Sequence, residues 1–184
     1  MKKTVLTFGL LSGAILSLMM VLTIPFMDRI GFERGEIIGY TSMVVAFLLI
    51  FFGVRQYRAQ FGGTLGFARA FGVGAMIAGV ASICYVATWQ VVYHKVAPDF
   101  GTKYQAYQLE KARADGATET EIAQKKAELD EFWAMYRNPL VNVALTLIEP
   151  LPVGLFIALM SAAVLSRRRK PEEGGDVMAA RVRA

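Results

Sequence analysis

Four stretches of this chain are too long and too apolar to serve as the elements of a water-soluble domain. They fall at residues 5–27, 37–54, 70–93 and 139–165. The hydrocarbon core of a bilayer is about 30 Å thick and an α-helix rises about 1.5 Å per residue, so one crossing takes about 20 mostly apolar residues. In hydrocarbon a helix satisfies its own backbone N–H and C=O groups, which an open strand cannot do. The expected fold is therefore all-α: a polytopic membrane protein with four transmembrane helices in one domain. The composition agrees, since 55% of the 184 residues are hydrophobic and an ordinary soluble domain hides less.

Lys2 and Lys3 before the first apolar run imitate a secretory signal. The run is longer than a signal core of roughly 7–15 residues, and no small-residue cleavage site follows it. It reads as an uncleaved membrane helix.

The formal net charge is +5, and the basic residues cluster at the ends of apolar runs. Lys2 and Lys3 precede the first, Arg55, Arg58 and Arg69 fill the turn between the second and third, and Arg167, Arg168, Arg169 and Lys170 follow the fourth. In a four-helix topology these regions share one side, which the excess of Lys and Arg marks as cytoplasmic. The opposite short loop mixes Arg29 and Arg34 with Asp28, Glu33 and Glu36. Both termini are expected inside and residues 94–138 outside. Basic groups so placed suit anionic lipid headgroups rather than nucleic acid.

The long connection between the third and fourth runs is patterned as a helical hairpin over residues 99–137. Tyr104 and Tyr107 recur at helical spacing in its first half, and Gly116 offers a stop. Thr118 and Glu121 then form a capping-box pair, in which each side chain satisfies the other residue's free N–H. Ile122, Leu129, Trp133 and Tyr136 follow as an apolar stripe opposite Lys125, Glu128, Asp130 and Glu131. Such a stripe either packs the two helices together or receives a partner. The second helix ends at Asn138-Pro139. Residues 1–167 then form the membrane domain with its hairpin. Residues 168–184, rich in Gly and charge, are expected to be a disordered cytoplasmic tail whose Arg181 and Arg183 touch anionic lipid.

Glu149 is the most informative single residue, because an acid in hydrocarbon costs on the order of 2–3 kcal/mol even on lenient insertion scales. Pro150 and Pro152 beside it lack an N–H and free the carbonyls of Thr146 and Ile148. Three readings stand: a cap or kink at the start of a helix, a buried polar contact that fixes helix packing, or an ion or proton site shared with Gln90 or Thr88. If the helix began at Pro150, residues 151–165 would span only about 22 Å, so residues before Glu149 are expected to be embedded too.

Small residues spaced by four, Gly9, Gly13 and Ser17 in the first run and Ala75 and Gly79, with Ala78 and Ser82 offset beside them, in the third, let helix backbones approach closely. They are expected to pack these two helices on each other, or to dimerise the protein. Trp89 and Tyr93 are expected at the lipid headgroups, where rings with one polar edge settle. Arg55, Tyr57, Arg58 and Arg69 are expected to reach the opposite headgroup layer. Lone His94 and lone Cys84 supply no metal or disulfide framework. No phosphate-binding glycine loop, nucleophile elbow, zinc-protease or dinucleotide motif occurs, so no enzyme, cofactor or metal is expected.

The opening Lys2-Lys3-Thr4-Val5-Leu6-Thr7-Phe8-Gly9 resembles the bacterial membrane proteins grouped as domain of unknown function 4199. So do the Phe52-Gly53-Val54-Arg55-Gln56-Tyr57-Arg58 and Phe67-Ala68-Arg69-Ala70-Phe71 segments, and the Glu149-Pro150 element. The resemblance covers residues 1–167 and implies a bacterial inner-membrane location but no activity and no catalytic residue. The functional expectation is a non-enzymatic scaffold, accessory subunit or envelope factor acting through the hairpin, as a homo-oligomer or with another membrane protein. The alternative is a subunit of a small-solute, ion or proton transporter or channel that uses Glu149.

Overall fold

The computed structural model describes residues 1–166; the expected tail at 168–184 lies outside the described residues. Among these the chain is helical without strands. Four of its helical segments are long and apolar enough to cross a membrane, 2–30, 32–59, 67–96 and 139–165. The fold is thus all-α and polytopic.

The first span is α1 (Lys2–Thr23), a 3-10 turn (Ile24–Phe26) and the single turn α2 (Met27–Ile30). Pro25 has no N–H to give, and the ladder tightens around it. The second span is α3 (Phe32–Ala59) and the third α4 (Phe67–Val91). A π-helical turn, Val92–Val96, prolongs α4, closed by the Ala97 N–H on the Val92 carbonyl at 2.8 Å.

The hairpin follows as α5 (Phe100–Ala114) and α6 (Glu119–Tyr136). Gly116, at φ +86°, turns the chain after α5 in a conformation that disfavours a Cβ. The capping box at Thr118 and Glu121 is formed in both directions. The fourth span is α7 (Pro139–Ile148) and α8 (Pro150–Leu165). The Asn138 side chain caps α7 through the Leu140 N–H. Glu149, at φ −68° and ψ −56°, keeps a helical backbone between them. The fourth span therefore continues through the prolines.

In cross-section the spans form a rhombus. α1 and α8 lie on opposite sides, each packed on both α3 and α4, which also touch each other. Lipid gives helices no hydrophobic reason to associate, so close fit and polar contacts hold them. Phe47, Ile50, Val54, Val73 and Ile77 fill the centre. The Ser12 hydroxyl donates to the Ala46 carbonyl at 3.0 Å, and Ser17 and Thr88 share a hydrogen bond at 2.7 Å.

Small residues do set the α1–α4 contact, but from one side only. A Cβ on Gly9 would meet Val80 Cβ at 2.7 Å, and one on Gly13 would meet Cys84 Cβ at 2.6 Å. Ala75 and Gly79 are not their counterparts: Gly79 has nothing within 4 Å of an added Cβ, and Ala75 is half-buried. The close approach on α4 belongs to Gly74 and Ala78: a Cβ on Gly74 would meet Ala158 Cβ of α8 at 2.8 Å, and one on Gly154 of α8 would meet Ala78 Cβ at 2.8 Å. With neighbours on several of its faces, α4 carries small residues in more than one register, and spacing alone does not select among them.

At the basic end Arg55 and Arg69 are exposed, and Arg69 lies over the Phe61 ring at 5.6 Å. Arg58 instead turns back to close the loop, donating from Nε to the Gly63 carbonyl at 2.6 Å. Tyr57 does not reach a headgroup layer. It is buried and packs against Phe61.

Candidate functional site

The hairpin does not stand clear of the membrane domain. Phe32, at the start of α3, packs against Phe100, Tyr104 and Tyr107 of α5, with ring centroids 5.2–5.7 Å apart. Lys103 bridges Asp28 of α2 at 2.7 Å and Asp99 at 2.9 Å. The apolar stripe of α6 is used in the same way. Trp133 lies flat over Gly101 of α5, where a Cβ would come within 2.9 Å of the ring. Tyr136 reaches α4.

That docking buries Trp89 and partly covers Tyr93, the residues expected at the lipid interface. Trp89 is only 8% exposed, and its Nε1 donates to the Tyr136 hydroxyl at 2.8 Å. Tyr93 packs edge-on against Tyr136 with centroids 5.6 Å apart. Hydropathy places these rings at the end of a span, but the returning hairpin covers them and removes them from the headgroups.

Beneath the hairpin lies a cavity of about 400 Å³. Its floor is Leu16, Met20 and Met43; its roof is Phe100, Tyr104 and Trp133. The thioethers give a deformable apolar wall. The polar groups on it include Glu36, Tyr40 and Ser42 of α3, Tyr85 of α4, Tyr136 of α6, and Thr146 and Glu149 of α7 and the junction after it.

Glu149 is the centre of this set. It lies about 15 Å along the fourth span from Pro139, at 1.5 Å per residue. The Tyr85 hydroxyl donates to its Oε2 at 2.8 Å, while among the described residues Oε1 accepts nothing. Glu149 forms no cap on α8, so the cap reading gives way to an interhelical polar contact at a cavity wall. Glu149 is exposed rather than buried at this contact.

Gln90 does not share the site. Its Nε2 donates to Asn142 Oδ1 at 2.7 Å, tying α4 to α7 away from the cavity lining. Thr88 is occupied with Ser17 and with the Cys84 carbonyl. One helical turn separates Tyr85 from Trp89, and Gln90 lies just beyond on another face, so proximity in sequence to the cavity is not access to it. Tyr85, Tyr40 and Glu36 were missed by the sequence reading. The only signal for them is a hydroxyl or acid inside, or at the edge of, an otherwise apolar span.

The prolines act on the shape of this site. α8 packs on both α3 and α4, whereas α7 packs on α4 and α6 and, among the described residues, makes no comparable contact with α3. The fourth span thus parts from the second above Pro150 and Pro152. Tyr40, 47% exposed, stands on one lip of the gap, and Leu145 and Glu149 stand on the other. On α3, Gly39 lines the cavity with nothing within 4 Å of where a Cβ would be.

The buried indole N–H of Trp133 and the hydroxyl of Ser82 have no hydrogen-bond partner among the described residues. Among the described residues no three His, Cys, Asp or Glu side chains gather as a metal site would require.

Neither curated proteins nor solved structures give a match to this chain. The family described as "Protein of unknown function (DUF4199)" matches residues 7–167, and the chain belongs to it.

Proposed function

We propose that this is a non-enzymatic, multi-pass protein of the bacterial inner membrane that binds a small amphipathic solute under its hairpin, as the binding unit of a transporter or sensor. The observation that carries the reading is the Tyr85–Glu149 hydrogen bond at the wall of a cavity of about 400 Å³ within the membrane domain. Ligand sites are typically concave and mostly apolar, with a few placed polar groups. An acid at this depth is costly without a role. The aromatic residues that would serve a scaffold as a docking face are turned inward as a roof, which favours binding over scaffolding. Lys2, Lys3, Arg55 and Arg69 at one end of the bundle support a reading with that end cytoplasmic, against anionic lipid, and the hairpin outside.

Trp89 and Trp133 line the cavity, and they are the two tryptophans of the chain. Fluorescence therefore tests the reading directly. The protein in phosphatidylcholine nanodiscs is titrated with three brominated aromatic quenchers of equal size, one cationic, one neutral and one anionic. At least one is expected to quench saturably, and Gly39→Phe, which fills the cavity, abolishes the saturable part. Quenching that stays linear for all three, as for probes dissolved in lipid, overturns the reading.

A further inference from the structure

The cavity has a charge character as well as a shape. Glu36 and Glu149 both line it, and no Lys, Arg or His does among the described residues. The nearby Lys103 is held by Asp28 and Asp99. Tyr85 gives Glu149 one neutral hydrogen bond and leaves Oε1 without a partner. An anionic ligand would meet two carboxylates and no cation. A bare metal ion would meet too few donors and a wall made mainly of hydrocarbon. An organic cation meets complementary groups: the exposed carboxylates of Glu36 and Glu149, and the aromatic rings of Tyr40, Trp89 and Trp133 in the lining, since such rings attract positive charge through their quadrupoles.

The gap between α3 and α7 adds the route. It lies between Tyr40 and Leu145, along segments that are themselves long and apolar enough to span a membrane. A solute entering there arrives from lipid rather than from water, so it must partition into the bilayer while carrying its charge at one end.

We propose that the cavity selects a lipophilic organic cation, an aromatic or alkyl ammonium, which enters laterally from the hairpin-side leaflet and seats its charge at Glu149. This assignment rests on the binding role given above and narrows it to one ligand class.

The test uses 4-bromobenzyltrimethylammonium, its neutral isostere 4-bromoneopentylbenzene and 4-bromobenzylsulfonate, read by quenching of Trp89 and Trp133 in phosphatidylcholine nanodiscs. The ammonium is expected to bind about tenfold more tightly than the neutral isostere, the scale of one desolvated cation contact, and the sulfonate weakest. Glu149→Gln removes the charge but keeps the shape and the acceptor for Tyr85; it is expected to erase the preference while the neutral probe binds as before. Saturable binding in which the neutral or anionic probe is as tight as the ammonium overturns the cation assignment and leaves the binding role standing. A preference unchanged in Glu149→Gln overturns the placement of the charge. Absence of saturable binding by any probe overturns both.

Discussion

The indole N–H of Trp89 donates to the hydroxyl of Tyr136 at 2.8 Å, and through this bond the third span is fastened to the second hairpin helix. Both residues are buried. Tyr136→Phe leaves the indole donor without an acceptor, which costs about 1–3 kcal/mol for a buried group. Thermal unfolding in detergent is expected to fall accordingly, with faster amide exchange in α6. A variant as stable as wild type would show that the bond does not hold the roof.

The α4–α8 contact gives a contrast between two glycines. A Cβ at Gly154 would approach Ala78 Cβ at 2.8 Å and Phe47 Cζ at 3.2 Å, whereas at Gly79 it meets nothing within 4 Å. Overpacking costs about 1–3 kcal/mol, while relief of a mid-helix glycine returns up to about 1 kcal/mol. Gly154→Ala is therefore expected to melt lower than wild type and Gly79→Ala at the same temperature or higher. Equal behaviour of the two would refute the interface.

Much of this fold is legible in the sequence, and the rest is hidden for two physical reasons. The four spans follow from length and hydropathy, and the cap at Thr118 from residue type and spacing. Glu149 stood out because an acid contrasts with hydrocarbon. Which face of α4 meets which neighbour was not legible, because a helix in lipid is apolar on packed and unpacked sides alike. Hence spacing points to Gly79 where Gly74 packs, and to Gln90 as a neighbour of Glu149 where Tyr85 holds it. Trp89 was placed at the headgroups because nothing local records that a segment more than forty residues later folds back over it.

Ser82 on α4 is fully buried and its hydroxyl has no partner among the described residues. Ser82→Ala removes an unsatisfied polar group without leaving a large void, and stability is expected to hold or rise by up to about 1 kcal/mol. A clear loss of stability, measured by the same thermal unfolding, would mean that the hydroxyl is engaged.

The ion pairs at the hairpin base give a pH dependence. Hydrogen bonds from Lys103 hold the Asp99 carboxyl below its ordinary value, and bonds to Asp28 and Asp99 hold the Lys103 ammonium above its own. A lowered acid stabilises above its unfolded pKa and loses that contribution as pH falls through the folded one; a raised base stabilises below its unfolded pKa and loses it as pH rises through the folded one. Amide protection in the first turns of α5 is thus expected to be greatest at neutral pH and to drop at both extremes. These groups are exposed, so the effect is small and shrinks in high salt. Protection in Lys103→Met should be lower at neutral pH and flat across the same range; a profile like that of wild type would assign it to other groups.

The π-helical turn at Val92–Val96 sets a phase. Each residue of an α-helix advances the chain by about 100° around its axis, and a π turn absorbs one residue more than an α turn. Winding the same residues as an uninterrupted α-helix would swing everything after them through roughly that angle. Phe100 and Tyr104 would then leave the roof of the cavity, although no residue of the cavity had been touched. A connection that looks like an ordinary surface junction is in this sense a clockwork part, in which the number of residues matters more than their identity.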